Sequence, residues 1–189
     1  MQHFYAFCKQ ITEAFWIAQT LGLEPPQFEQ PQYNMFHRRR VETEYHPLYS
    51  APYEIGTTIW SPLMSGILTG KYNDTIPDGS RMTQPGYDWL KDRLKTHHEN
   101  GVIDKVRSLT EYAHAELNCS MTQLALAWCV KNPNVTTVLL GATKAEQLHE
   151  NLGAIDVVHR LTERHMEDVE TILSNRPDPY GGYRGAGMR

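Results

Sequence analysis

Two stretches of the 189-residue sequence space their side chains as an anion site would. The first is Thr57 to Arg81, TTIWSPLMSGILTGKYNDTIPDGSR. It opens as an apolar run of strand length and breaks at Ser61-Pro62. It then continues as a loop through Gly66 and Gly70 to Lys71 and Arg81. Spaced cations on a loop that leaves a strand suit a small anionic ligand, because arginine grips an anion with two N–H groups and lysine acts as a point charge. The second stretch is the strand candidate Val135 to Leu140, followed by Gly141-Ala142-Thr143 and then KAEQLHENLGAI. Thr143 and Glu146 make a capping-box pattern, so a helix is expected to begin at Lys144, immediately after the strand. A helix start in that place offers free backbone N–H groups and a positive dipole end to a phosphate. Gly141 would let the backbone approach that phosphate closely. A third candidate is Gln30, the polar end of a short strand candidate, Phe28-Glu29-Gln30, closed by Pro31. Singly, each piece has a plainer reading: a helix cap, a core tryptophan at Trp60, a solvated Lys71. Their joint placement at successive strand ends favours a binding site.

The elements that must position these residues alternate between strand and helix. Ile11, Ala14, Phe15, Ala18 and Leu21 predict an amphipathic helix ending near Gly22. Residues 87–95 predict one or two helical turns. Ile103, Val106, Leu109, Ala113 and Leu117 predict a helix of about four turns that ends at Asn118. Ser120 and Gln123 form a capping box that opens a helix apolar nearly all round, expected to be buried and to stop at Pro133. VTTVLL, β-branched and apolar on both sides, predicts a buried parallel strand. Met166, Val169, Ile172 and Leu173 predict a last helix face. The arginine run Arg38-Arg39-Arg40 is expected to be a solvated helix face. Strands alternating with helices imply α/β architecture with a parallel sheet, whose ligands sit at the carboxyl ends of the strands. Only three strands are evident. Three parallel strands leave two unpaired edges, so the isolated chain is expected to be poorly soluble or molten.

Composition narrows the function class. Apolar residues at 40% and charged residues at 21% are those of an ordinary globular domain. A net charge of −4 argues against nucleic acid as a partner. Cys8, Cys119 and Cys129 are widely spaced, match no metal-ligand pattern, and read as reduced thiols of a cytoplasmic protein. No apolar run approaches the ~20 residues that would insert in a membrane.

As a set, WSPLMSGILTGKY with the loop to SR, VLLGATKAEQLHENLGAI, PQFEQPQYNMF, GYDWLKDRL and MTQLALAWCVKN resemble the C-terminal half of an aldo-keto reductase. The branch they resemble is that of the potassium-channel beta subunits. The resemblance covers roughly residues 10 to 175. It implies about strands six to eight, with their helices, of a (β/α)₈ TIM barrel, preceded by an unmatched start over residues 1–9; the Pro/Gly-rich residues 176–189 are expected to form a flexible tail. It also implies NADP(H) as cofactor. By that resemblance Gln30 would hydrogen-bond the nicotinamide carboxamide. Trp60, Ser61, Pro62, Leu63, Ser65 and Gly66 would lie over the pyrophosphate, with Lys71 and Arg81 toward the 2′-phosphate. Gly141, Thr143 and Gln147 would hold the adenosine phosphate, and Glu150 and Asn151 would reach the adenine. Gly79 stands where that branch often carries a bulkier residue.

The family's catalytic Asp, Tyr, Lys and His (or Asn) belong to its first four strands. Tyr5, Tyr33 and Tyr45 do not sit in that motif, so no residue of this chain is assigned a catalytic role. Two functions follow from the resemblance. One is an NADP(H)-dependent carbonyl reductase that passes hydride to an aldehyde or ketone, this chain supplying cofactor contacts. The other is a cytoplasmic regulatory subunit that assembles as a homotetramer on a potassium channel alpha subunit. A non-functional fragment is the third reading.

Overall fold

A computed structural model of the chain describes residues 7–178. Three short parallel strands, β1 (Phe28–Glu29), β2 (Gly56–Ile59) and β3 (Thr137–Val138), form one sheet in the order β1-β2-β3. Phe28 faces Gly56 and Glu29 faces Thr57 across one ladder, while Thr58 faces Thr137 and Ile59 faces Val138 across the other. A further bridge between Gln32 and Trp60 carries the first pairing beyond the strands. Because all three run the same way, Gln30, Trp60 and Leu139 leave the sheet at one end.

Seven α-helices are described: α1 (Cys8–Leu21), α2 (Asp88–Glu99), α3 (Val102–Leu117), α4 (Met121–Lys131), α5 (Ala145–Leu152), α6 (Ala154–Arg160) and α7 (Glu163–Leu173). All five residues of the expected α3 face are buried, and Asn118 ends the helix in a left-handed turn at φ 45°. Burying each such side chain is worth about 1.5–3 kcal/mol relative to leaving it exposed. The capping box at the start of α4 forms as its sequence requires: Gln123 N donates to Ser120 Oγ at 3.2 Å, and Ser120 N donates to Gln123 Oε1 at 3.1 Å. α4 is buried around its whole circumference from Leu124 to Cys129 and is the axis of the core. On α1, Ile11, Phe15 and Ala18 face inward and Gly22 closes the helix, whereas Ala14 and Leu21 are exposed. α2 is twelve residues long rather than one or two turns, with Leu90 and Leu94 buried.

The arginine run departs from expectation. Arg38 is only 6% exposed and lies just after the turn closed by Asn34 and His37, not on a solvated helix. Its guanidinium bonds both carboxylate oxygens of Glu42 (2.8 and 2.9 Å), and also Glu170 and Asn175, while stacking on Trp128. Bidentate pairing of this kind is what makes a buried arginine tolerable. A π-helical turn, Arg40–Glu44, follows it. Only Arg39 of the three is mainly solvated.

β3 is not the buried strand that VTTVLL predicts. It spans two residues, Thr137 is exposed, and Leu139 and Leu140 are each 39% exposed. β3 is an edge strand, so one side of its apolar sequence has no neighbour among the described residues. Cys119 and Cys129 are buried free thiols and Cys8 is half-buried. Among the described residues no helix is long and apolar enough to cross a membrane. Of the residues read as a flexible tail, 179–189 lie outside the described residues, as do residues 1–6 of the unmatched start.

Candidate functional site

The carboxyl end of β2 continues into a loop that the backbone holds in an uncommon conformation. Ser61, Met64 and Ser65 have φ of 55°, 49° and 57°, followed by Gly66 at 95° and Gly70 at 76°. The left-handed region costs a non-glycine residue about 1–2 kcal/mol. Such residues persist only where the surroundings over-determine them, and they concentrate at functional sites. The surroundings here are explicit. Ile67 and Leu68 are buried at 2% and 0% exposure and pin the loop to the core. Gly66 N donates to Leu63 O at 2.9 Å, Leu68 N donates to the same oxygen at 3.2 Å, and Thr69 Oγ1 donates to Gly66 O at 2.7 Å. Pro62 is buried, while Ser61, Leu63, Ser65 and Gly66 keep part of their surface in solvent.

Asn34 fastens this loop from the β1 side. It is wholly buried, and its Nδ2 donates to Ser61 O at 3.0 Å. Its Oδ1 accepts from the backbone N–H groups of Phe36 and His37 at 3.0 and 2.9 Å. Tyr33 N donates to Trp60 O and Trp60 N to Pro31 O, so the two strand ends advance together. Asn34 is a positioning residue that the sequence reading passed over. Its signal was a single amide between the large side chains of YNMF. Gln30 lies one residue past β1 and is exposed at this end of the sheet.

Lys71 and Arg81 are both exposed, and neither pairs with a carboxylate among the described residues. The Lys71 ammonium folds back over the Tyr72 ring, 4.9 Å from its centre, and lies beside Gly66, where a β-carbon would stand 3.3 Å from Nζ. The geometry therefore brings Gly66, Lys71 and Tyr72 together. Arg81 sits 4.7 Å over the Tyr87 ring. Next to it, Ser80 Oγ is buried without a hydrogen-bond partner among the described residues.

The β3 side is built differently from its expected form. Residues 139–144 separate the strand from α5, which starts at Ala145 rather than at Lys144. The Thr143–Glu146 capping box is absent. Instead Thr143 N and Thr143 Oγ1 both donate to Gln147 Oε1, at 2.9 and 3.2 Å. The longer glutamine reaches back over the first turn and takes the place of a threonine cap. Gly141 is exposed and nothing lies within 4 Å of its would-be β-carbon. Glu150 is tied to the start of α4: Ser120 Oγ donates to its carboxylate at 2.8 Å, and Gln123 Nε2 donates to its carbonyl at 3.1 Å. Asn151 is buried at 5% exposure. Gln123 also fills the space beside Gly153, where α5 gives way to α6.

Two tyrosines near the sheet have hydroxyls held above their usual range. Burial, then the charge of Glu42, drives the Tyr33 hydroxyl far above its usual range. Burial, then Glu29, does the same for Tyr45. Burial also raises the Glu29 carboxyl, against the lowering influence of a hydrogen bond from Tyr45 and the charge of Arg40.

A parallel α/β sheet carries its ligands at the carboxyl ends of its strands, which is where the constrained loop and the two cations lie. The Aldo/keto reductase family model matches residues 8–174. The chain belongs to the aldo/keto reductase family. It is 44% identical over 177 residues to a probable voltage-gated potassium channel subunit beta of Oryza sativa subsp. japonica. It is 45% identical over 177 residues to a protein of the same description from Arabidopsis thaliana. Each match covers 93% of this chain and 52% of the relative, so the chain spans about half the length of the curated relatives it matches.

Proposed function

We propose that residues 10–175 are about strands six to eight of a (β/α)₈ barrel with their helices, and that they hold NADP(H) for carbonyl reduction. Three adjacent parallel strands, exposed apolar groups at both sheet edges (Phe28 at one, Leu139 and Leu140 at the other), and coverage of half the relatives' length support the barrel reading. The observation that carries the cofactor reading is the left-handed run Met64-Ser65-Gly66 with the Lys71 ammonium beside it. The Met64 and Gly66 N–H groups are already bonded to Ser61 O and Leu63 O, so the cation held here for an anion is the Lys71 ammonium, and a side chain at Gly66 would crowd it. Two unpaired cations and the partnerless Ser80 hydroxyl fit a phosphorylated ligand.

In this reading Trp60 to Gly66 lie over the pyrophosphate, Lys71 and Arg81 take the 2′-phosphate, and Gln30 orients the nicotinamide amide. Gly141, Thr143 and Gln147 receive the adenosine phosphate once the Gln147 hydrogen bonds rearrange, and Glu150 and Asn151 border the adenine. The nicotinamide, when bound, supplies hydride to an aldehyde or ketone. This chain's residues bind and orient it, and none is assigned as the acid that protonates the product.

Titration of the chain with NADPH and NADH, read by cofactor fluorescence, tests the proposal. NADPH is expected to bind at least about tenfold more tightly, and Lys71→Met with Arg81→Met to abolish the difference while leaving NADH affinity within about twofold. Equal affinity for both cofactors in the unaltered chain overturns it. Reduction of a test aldehyde at the rate of full-length relatives would overturn the view that the acid lies elsewhere.

A second reading is a cytoplasmic regulatory subunit that forms a homotetramer on a potassium channel alpha subunit and senses NADP(H); the relatives' description as probable potassium channel beta subunits supports its channel part. Co-purification with a channel's cytoplasmic domain tests it, and absence of the complex at micromolar concentrations removes it.

A further inference from the structure

A second cleft lies outside the residues assigned to the cofactor. It has a volume of about 400 Å³ and separates the Tyr72–Ile76 segment from one face of α2. That is within the range of small-molecule sites, roughly 300–1,000 Å³. Its walls are of two kinds. Ile76, Leu94 and Tyr72 make an apolar side, while Lys91, Lys95 and His98 stand along α2 at spacings of four and three residues and so share one face. The charges nearby do not cancel. Lys91 is shared with Asp88 at 3.0 Å, and the one acid in the cleft, Asp74, is held by Arg107 at 3.1 Å. The side chains of Lys95 and His98 have no ion pair or hydrogen bond among the described residues. Tyr72 adds an independent sign: it is 1% exposed, and its hydroxyl is buried with no hydrogen-bond partner among the described residues. A buried hydroxyl left without a partner costs about 1–3 kcal/mol, which a ligand oxygen would recover only once the Tyr72 side chain turned its hydroxyl into the cleft.

We propose that this cleft binds a small organic anion, its charged group on Lys95 and His98 and its apolar body against Leu94, Ile76 and the Tyr72 ring. The site is separate from the loop after β2 but touches it, because the Tyr72 ring also carries the Lys71 ammonium.

Equilibrium dialysis of the full chain with phenyl phosphate tests the assignment, with inorganic phosphate and phenol as comparison probes. Phenyl phosphate is expected to bind at least tenfold more tightly than either, since the cleft offers both charge and apolar wall. Lys95→Met with His98→Gln should weaken it at least tenfold, and Lys95→Arg should keep it within about threefold. Lys71→Met with Arg81→Met should change it less than twofold. If instead the Lys71 and Arg81 changes abolish binding and the Lys95 and His98 changes do not, the anion occupies the cofactor loop and the proposal fails. Equal binding of inorganic and phenyl phosphate also overturns it, because the apolar wall then contributes nothing. Lys91, Lys95 and His98 lie on the open side of α2, so these substitutions remove no core contact; an unchanged far-ultraviolet spectrum checks this.

Discussion

The loop that leaves β2 and the loop that leaves β3 emerge side by side from one sheet, yet they are held in opposite ways. Between Ser61 and Gly70 five residues adopt positive φ, and two fully packed side chains, a buried amide and a lattice of backbone bonds keep them there. Between Leu139 and Glu146 every residue is exposed, none has positive φ, and the only tie from Thr143 is to Gln147 four residues on. One side of the proposed cofactor site is preorganised by the core, and the other takes its order from local bonds. A ligand meeting the first side pays little to order it, whereas binding at the second includes that cost.

The largest break in this comparison is expected from Asn34→Ala. The change leaves the Phe36 N–H without its buried partner, at about 1–3 kcal/mol if water does not rescue it, and takes one of two partners each from the Ser61 carbonyl, which keeps Met64 N, and from the His37 N–H, which keeps Asn34 O. Hydrogen exchange at the amides of Trp60 to Gly66 should accelerate by at least about a hundredfold, with no change at residues 139–146, and NADPH affinity should fall more than tenfold. Equal acceleration in both loops would show that they are one unit and end the distinction.

Gly66→Ala comes next. The backbone there, at φ 95°, is one that L residues rarely adopt, and the new β-carbon would lie 3.1 Å from Lys71 Cε and 3.2 Å from Tyr72 Cε2. Lys71 can move aside, but the ring cannot without disturbing its own packing, so the cost is about 1–2 kcal/mol. Denaturant titration reads that cost, and unchanged stability would mean that the loop is not held as described.

How far these features were legible follows from what each residue needs. The α3 face and the Ser120 box were legible because both are local: periodicity and a three-residue spacing suffice. The strand count and the end of β2 in a loop were legible from the short apolar runs and the break at Ser61-Pro62. Arg38 was not, because its partners Glu170 and Asn175 lie 132 and 137 residues away and no local pattern announces them. Thr143 was misread because two acceptors compete for one region. The pattern rule weighs Glu146, while the fold lets Gln147 reach the same N–H. The exposure of β3 was hidden for a different reason, since a sequence reports what a strand can bury and not whether a neighbour is there.

A smaller effect tests the turn that carries Asn34. His37 belongs to it, exchanging backbone hydrogen bonds with Asn34 at 3.0 and 3.3 Å. Burial, then the charges of Arg40 and Arg93, lowers the His37 pKa below the ordinary 6.5, with Glu44 opposing. A lowered pKa means that the unfolded chain binds the proton more readily. The turn is therefore fully stable above pH 6.5 and weakens as pH falls below it. Exchange at the Ser61–Gly66 amides, corrected for intrinsic rates, should rise between pH 7 and 5, and His37→Asn should flatten that rise. A profile unaltered by the substitution assigns the pH response to another group.

Gly141→Ala sharpens the other loop and has the smallest effect on stability. The backbone there is not left-handed and the space around it is open, so stability should shift by less than about 0.5 kcal/mol. Cofactor binding is the more telling readout. If the backbone at Gly141 approaches the adenosine phosphate, a β-carbon intrudes on the ligand though it meets nothing in the protein, and NADPH affinity falls at least about threefold with stability unchanged. That split between binding and folding cannot arise at Gly66, where the same substitution strains the free chain. An unchanged affinity at Gly141 would remove the β3 loop from the proposed cofactor site and leave the preorganised loop after β2 as its phosphate contact.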